Sequence, residues 1–420
     1  MDVNGGEAVP EVIVVGAGAA GLAAAGAAAE AGTEVLLLER NKEAGKKLRI
    51  TGKGRCNLTT AVEPEELMKG YPGNGRFLYS AFDRFNNHDA MRFFTELGLE
   101  LKTERGQRVF PVSDDAGEVV KVLKRHALAC GAKLLTGERV EGLMIENGRV
   151  AGIKSDKGTH AATAVIICTG GKSYPGTGST GDGYVLAQAA GHTIVKPRPG
   201  LVPLVVAEDW VRDLQGLSLK NVRAASYDRQ GKKINEDFGE LLFTHFGLSG
   251  PIILSMSRDI VDSLAQGAVR ILLDLKPALS QEKLDERLQR DFKEFARRRY
   301  KNSLNALLPK KMIPVMVQLS GIDPDKLCHD ITRAERQALG ALLKRLTLHV
   351  TAPRGISEAI VTAGGVSVKE LDPRTMQSKI VPGLYFAGEV IDVDGYTGGY
   401  NLQAAWSTGR LAGISAARRG

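Results

Sequence analysis

Gly16, Gly18 and Gly21 stand in the spacing G-x-G-x-x-G between an apolar run at 11–15 and an Ala-rich run at 21–31. The chemistry open to that spacing is phosphate binding. The first glycine permits a tight turn, the second lets backbone approach a pyrophosphate, and the third lets helix and strand pack closely. Helix N–H groups, from Ala19 and Ala20 onward, then face the phosphates with the positive end of the helix dipole. Glu39 ends the next apolar run, 18 residues after Gly21, and Arg40 follows it. A carboxylate there accepts hydrogen bonds from adenosine ribose hydroxyls and disfavours a 2′-phosphate.

The same motif serves FAD and NAD, and the C-terminal region separates them. Residues 383–389 are an apolar strand ending in Gly388 and Glu389, and residues 398–403, with Gly399, Tyr400, Asn401 and Leu402, open a helix. FAD is long enough to need such a second contact, an acid for ribityl hydroxyls and a helix N-terminus facing the flavin pyrimidine ring. Two turn-rich segments belong with these: 45–59, which carries Lys46, Lys47, Arg55, Asn57 and Thr59, and 168–183, which carries Thr169 and Gly170. Gly- and donor-rich loops at the ends of parallel strands are expected where a cofactor lies.

These groups must be positioned by a parallel sheet. Strand, turn, helix and strand over residues 11–39 make a βαβ unit. Residues 140–169 change rhythm, with turns at Asn147-Gly148 and Lys157-Gly158, and predict an antiparallel meander that returns to the parallel sheet. From 195 the pattern is β-rich, from 281 to 346 it is helical (Leu284, Leu288, Phe292, Phe295, then Leu339, Leu342, Leu343, Leu346), and after Pro353 it is again Gly-rich strand. The expected division is a discontinuous FAD-binding domain at 1–194 and 351–420, a β-rich middle domain at 195–280 and 347–350, and a helical insertion at 281–346.

Net charge is +8, and the excess is local. Residues 281–346 hold 15 basic and nine acidic side chains. Arg290, Lys293, Arg297, Arg298, Arg299, Lys301, Lys310 and Lys311 face only Asp291 and Glu294 within 290–311. Such a surface attracts polyanions, and three consecutive arginines on a helix would fan across its face. Residues 12–29 are nearly all apolar or Gly, but Asp2, Glu7 and Glu11 precede them without any Lys or Arg, which argues against a signal peptide or membrane span. Cys56, Cys130, Cys168 and Cys328 are far apart in sequence with no CxxC, so thiols in a reducing cytoplasm are expected, with neither disulfide nor metal.

Segments 45–59, 168–183, 239–253 and 383–403 together resemble the signature blocks of a bacterial Rossmann-type FAD flavoprotein family. That family is described variously as aminoacetone-oxidase-like, bile-acid-intermediate-reductase-like and, in one branch, 23S rRNA dihydrouridine synthase. The resemblance runs in order from about residue 12 to 413. It implies an α/β fold: a Rossmann-type FAD-binding domain with a two-part site of the glutathione-reductase kind, an inserted β-barrel-like domain and a helical subdomain. It also implies FAD at Gly16, Gly18, Gly21 and Glu39, with Glu389 and the 398–403 turn near the flavin. Disulfide reductases of similar build need a redox CxxC, and none is present.

The expected activity is FAD-dependent reduction of an activated C=C, with a uridine of 23S rRNA as first candidate substrate and NAD(P)H as a transient electron donor. Alternatives are a small-molecule enone reductase or amine oxidase, and an RNA-binding protein with structural FAD. A proton donor should face the flavin. Cys56, beside Arg55, and His245 are the candidates, with Tyr174 and Tyr400 behind them.

Overall fold

The computed structural model describes residues 10–418, so Asp2 and Glu7 lie outside the described residues. Five strands form one parallel sheet, in the order Leu384–Phe386, Ala164–Ile167, Val12–Val15 (β1), Val35–Glu39 (β2), Lys133–Thr136. β1 is central: Val12 pairs with Ala164 on one side and Val35 on the other. All of β1 and β2 is buried, as continuous apolar runs in a sheet covered on both faces must be.

The helix Ala19–Glu30 (α1) is buried from Ala20 through Ala29. It packs against the C-terminal helix Tyr400–Ala417 at a distance only glycine permits. A Cβ on Gly409 would stand 2.4 Å from the carbonyl oxygen of Ala20, and one on Gly413 would stand 2.2 Å from that of Ala24. The meander forms three antiparallel strands, Val140–Glu146, Arg149–Ser155 and Gly158–Ala161, and its first turn has both Asn147 and Gly148 at positive φ (51° and 76°), a hairpin geometry.

The chain divides into two compact units, 1–200 with 359–420, and 201–358. Residues 195–200, which the sequence pattern assigns to the β-rich middle, belong instead to the strand Ile194–Gly200, which pairs with Val361–Val366 inside the first unit. The second unit is built on a closed six-stranded antiparallel barrel that runs Leu204–Val206, Gly247–Ser249, Lys233–Phe243, Ser218–Tyr227, Val269–Asp274, Leu346–Pro353 and back to the first strand.

The helical stretch 281–346 shares one apolar core with the barrel, where Leu284, Leu288, Leu339 and Leu343 lie with Leu273 and Leu348. The helix Gln281–Glu294 stops earlier than its periodicity suggests, with Phe295 as its C-cap and Leu346 already in a strand. Arg297–Arg299 are therefore not helical. Arg298 lies over the Phe295 ring at 4.5 Å, and Arg299 forms an isolated bridge with Leu327. Backbone bonds to the 326–328 segment compete with the next helical turn and win: Tyr300 N–H donates to the Lys326 carbonyl at 2.8 Å, and Cys328 N–H donates to that of Arg298 at 3.0 Å.

Candidate functional site

Because the five strands are parallel, the loops after β1, β2, Ala164–Ile167 and Leu384–Phe386 all emerge at one edge. The three glycines do different things there. Gly16 has φ +100°, and a Cβ on it would stand 2.7 Å from the Cys168 carbonyl oxygen. A Cβ on Gly21 would stand 1.7 Å from the Gly16 carbonyl oxygen, so this residue lets α1 lie on the turn. A Cβ on Gly18, the N-cap of α1, would meet nothing within 4 Å outside the adjoining turn and helix backbone. Two glycines are demanded by the protein's own packing, and the third opens a space the protein leaves free.

Glu39 is 7 % exposed, and its carboxylate reaches back to that turn. Oε2 accepts from Ala17 N–H at 2.9 Å, while Oε1 accepts from the backbone N–H and side-chain amide of Asn41, at 2.8 and 2.7 Å. Arg40 turns outward, donating to Thr180 Oγ1 at 2.6 Å and pairing with Asp182 at 2.8 Å, where Arg139 also binds. Thr169, after Ala164–Ile167, has a buried hydroxyl without a hydrogen-bond partner, and Gly170 follows at φ +71°.

Glu389 forms the second pole. Lys47 Nζ donates to Glu389 Oε2 at 2.7 Å and to Ser173 Oγ at 2.7 Å, while Oε1 accepts from Ser173 Oγ at 2.9 Å and Thr362 N–H at 2.8 Å. Burial pushes the Glu389 carboxyl up, but the Lys47 ammonium and the Thr362 and Ser173 hydrogen bonds outweigh it and hold its pKa below the usual carboxylate range. Thr362 is a residue sequence reasoning missed. Its Oγ1 accepts from Lys172 and Ser173 N–H at 2.8 and 3.1 Å, and a Cβ on Gly171 would stand 2.3 Å from it. A Thr two residues before the Gly364-Gly365 pair was the signal available.

Around the helix Tyr400–Ala417, Gly399 is the N-cap at φ +99°, and a Cβ on it would stand 2.4 Å from the Thr59 carbonyl oxygen. Asn57, with its amide turned to suit its neighbours, accepts from Gly399 N–H at 3.1 Å and donates to the Thr59 carbonyl at 3.1 Å. Asn401 clamps the Gly395 backbone in both directions, at 2.8 and 2.7 Å. The Tyr400 ring packs edge-on to Tyr71 at 5.6 Å and against Gly70, a packing role. Gly388 has φ +76°, Leu402 is half-buried and Lys46 is exposed.

The expected influence of Arg55 on Cys56 is not found. Arg55 pairs with Glu104 and, at 2.7 Å, with Asp114, and lies over Phe110 at 4.2 Å. Cys56 is fully buried at φ +59°, and burial pushes its thiol up to about 12. It holds its proton at neutral pH and is no thiolate. Tyr174, also at positive φ (51°), is half-buried. His245 belongs to the second unit, exposed, edge-on to Phe246 at 4.9 Å. It lines a cleft of about 530 Å³ with Glu208 and Arg354, the latter lying over Phe246 at 4.5 Å.

Among the eight basic residues singled out at 290–311, Arg299 and Lys301 share Asp325 (2.8 and 2.7 Å), and Lys311 donates to the Gln215 carbonyl. Arg290, Lys293, Arg297 and Lys310 are exposed and have no carboxylate partner among the described residues. No helix among the described residues is long and apolar enough to cross a membrane.

An open glycine cradle, a carboxylate at the end of β2 and a second polar pole on one edge of a parallel sheet define a Rossmann-type flavoprotein oxidoreductase. The chain belongs to the family described as "HI0933-like protein Rossmann domain", which it matches over residues 10–415. It is 34% identical over 410 residues to a 3-dehydro-bile acid delta(4,6)-reductase of Clostridium scindens, covering 97% of this chain and 98% of that protein. It is 33% identical over 400 residues to the ribosomal RNA dihydrouridine synthase of Escherichia coli, covering 95% and 96%. In fold it is similar to the 3-ketosteroid-delta4-(5alpha)-dehydrogenase of Rhodococcus jostii RHA1, with a TM-score of 0.55 and 17% identity over 99% of each chain.

Proposed function

We propose that the protein holds one FAD at this sheet edge and reduces an activated C=C bond, with a uridine of ribosomal RNA as substrate. The observation that supports the cofactor assignment is the space at Gly18, since nothing in the protein itself requires a glycine there. Gly16, Gly18, Ala19, Ala20 and Gly21 would hold the pyrophosphate, Glu39 the adenosine ribose with Arg40 at its rim, and Glu389 with Lys47 the ribityl chain. Gly399, Tyr400, Asn401 and Leu402 would present the helix N-terminus to the flavin ring. Lys46, Arg55, Asn57, Thr59, Thr169, Gly170 and Gly388 would complete the surround.

When bound and reduced by hydride from NAD(P)H as the transient donor, the flavin would pass that hydride to one carbon of the C=C bond and return to its oxidised form. The protein must supply the proton. Of the two expected donors, Cys56 is enclosed and its thiol holds its proton too tightly for that role. The RNA assignment is supported by Arg290, Lys293, Arg297 and Lys310, exposed cations without a carboxylate partner among the described residues, which suit phosphates. Such a substrate places the protein in the cytoplasm.

The test is nucleoside mass spectrometry of 23S rRNA from a strain lacking this gene. Loss of a dihydrouridine supports the reading, and an unchanged dihydrouridine content overturns it. A second reading, reduction of a small-molecule enone, is favoured by the full-length similarity to the bile-acid reductase. NAD(P)H-dependent turnover of a 3-keto-4-ene steroid by purified protein, with rRNA unmodified, would select it.

A further inference from the structure

Away from the sheet edge, Glu30, His126 and Cys130 meet where the C-terminal end of α1 passes the helix Ala116–Ala129. We propose that these three side chains form a binding site for a divalent transition-metal ion of the zinc type, separate from the flavin site. Their ligand atoms lie within 4.8 Å of one another. Glu30 Oε1 is 3.2 Å from His126 Nε2, and Cys130 Sγ is 3.9 Å from His126 Nδ1. Ligands on a tetrahedral zinc with bonds of about 2.0–2.3 Å stand roughly 3.3–3.6 Å apart. One ion takes only one of the two imidazole nitrogens, so with Nε2 as the ligand the Cys130 thiol must turn toward it from the Nδ1 side, starting from a set of ligand atoms already within 4.8 Å of one another.

Three further features point to a ligand. His126 Nε2 is buried and makes no hydrogen bond, although a carboxylate oxygen is 3.2 Å away. The two atoms lie side by side, as ligands of one ion do, and are not aimed at each other. Second, the imidazole sits against Gly26, where a Cβ would stand 3.0 Å from Cδ2 and 3.2 Å from Nε2. That accounts for a glycine in the middle of a helix made mostly of the best helix former. Third, Arg410 donates to Glu30 Oε2 at 3.1 Å and is itself held over Phe85 and Phe93, at 5.0 and 4.7 Å. It fixes the carboxylate through one oxygen and leaves the other free, the arrangement outer partners give metal-bound carboxylates.

The donor set of one carboxylate, one imidazole and one thiol suits zinc and leaves a fourth position for water. Metal binding replaces the Cys130 S–H by an S–metal bond and releases that proton to solvent. Glu30 ends a 12-residue helix whose other end opens the glycine cradle, about 18 Å away at 1.5 Å per residue. The ion would tie two helices of the first unit together and take no part in the redox chemistry.

The experiment uses FAD-loaded, EDTA-treated full-length protein titrated with Co²⁺ and then Zn²⁺. The expected result is a thiolate-to-cobalt charge-transfer band in the difference spectrum, saturating at one ion per chain and bleached by Zn²⁺. Cys130→Ser removes the band, and His126→Gln lowers Zn²⁺ affinity by at least about tenfold, with flavin content reporting that each variant is folded. Absence of the band in the wild type, or a band that survives Cys130→Ser, overturns the proposal. If Cys130→Ser loses its flavin, unchanged Zn²⁺ affinity in His126→Gln does the same.

Discussion

The two units handle charge in opposite ways. In the first, the site carboxylates are saturated with hydrogen bonds: buried Glu39 is held by Ala17 and Asn41, and half-buried Glu389 by Lys47, Ser173 and Thr362. In the second, the cations at 290–310 stand in solvent, some paired at the surface and others without a carboxylate partner among the described residues. A rigid cofactor of fixed shape is met by buried groups and backbone placed in advance, at a cost the fold must offset. A long flexible polyanion is met by exposed charge that needs no exact placement. Changes in the first unit should therefore be all-or-none and salt-independent, and those in the second graded and salt-dependent.

The strongest test of that contrast lies within the glycine turn itself. Gly21→Ala puts a Cβ into the Gly16 carbonyl and should destabilise the fold by about 3 kcal/mol, read by denaturant unfolding of flavin-free protein. Gly18→Val has open space and should leave flavin-free stability nearly unchanged while abolishing FAD binding, measured by flavin fluorescence. If both variants lose stability alike, the cradle is a packing feature and not a ligand site.

Glu389→Ala should act on both properties at once. It strips Lys47, Ser173 and Thr362 of their acceptor, so the fold does not escape, and a loss of about 1.5–3 kcal/mol is expected in stability and again in FAD affinity. The pair also sets a pH signature. The folded carboxyl lies below its ordinary value, so its contribution is present above the usual carboxylate range and disappears as pH falls through the folded value. In Glu389→Gln the acid limb of stability against pH should flatten. An identical limb would show that the Lys47–Glu389 pair contributes nothing.

The smallest effect on the protein itself belongs to the second unit. Replacing Arg290, Lys293, Arg297 and Lys310 by Gln should leave melting temperature and flavin content unchanged, since no carboxylate pairs with them among the described residues. Affinity for rRNA fragments should fall, and its log–log salt slope should flatten by about 0.7–0.9 per lost contact. Replacing Arg299 and Lys301, tied to Asp325, should matter less. Wild-type RNA affinity and salt slope in the fourfold variant would remove the basis for assigning RNA to this surface.

Much of the first unit was legible in the residues, because parallel strands appear as unbroken apolar runs and a dinucleotide turn needs glycine at fixed spacing. Gly16, Gly18, Gly21, Glu39 and Glu389 all fall at one sheet edge for that reason. What the chain could not disclose depended on groups far apart in sequence. Thr362 reaches Glu389 and the 172–173 backbone only because Val361–Val366 lies beside them. Arg55 sits next to Cys56 in the chain, yet Glu104 and Asp114 draw its guanidinium away and burial keeps the thiol protonated. Helical periodicity carried past Phe295 and into Leu346 because side-chain spacing does not record where backbone hydrogen bonds change partner, as they do at Arg298 and Tyr300. The spacing of His126 and Cys130, four residues apart at the end of one helix, is visible in the sequence, but Glu30, 96 residues before His126, becomes their neighbour only when α1 packs against that helix. Local spacing is written in the sequence because helix and strand repeats are short. Partnership across the chain is set by packing, and packing exists only once the whole unit has folded.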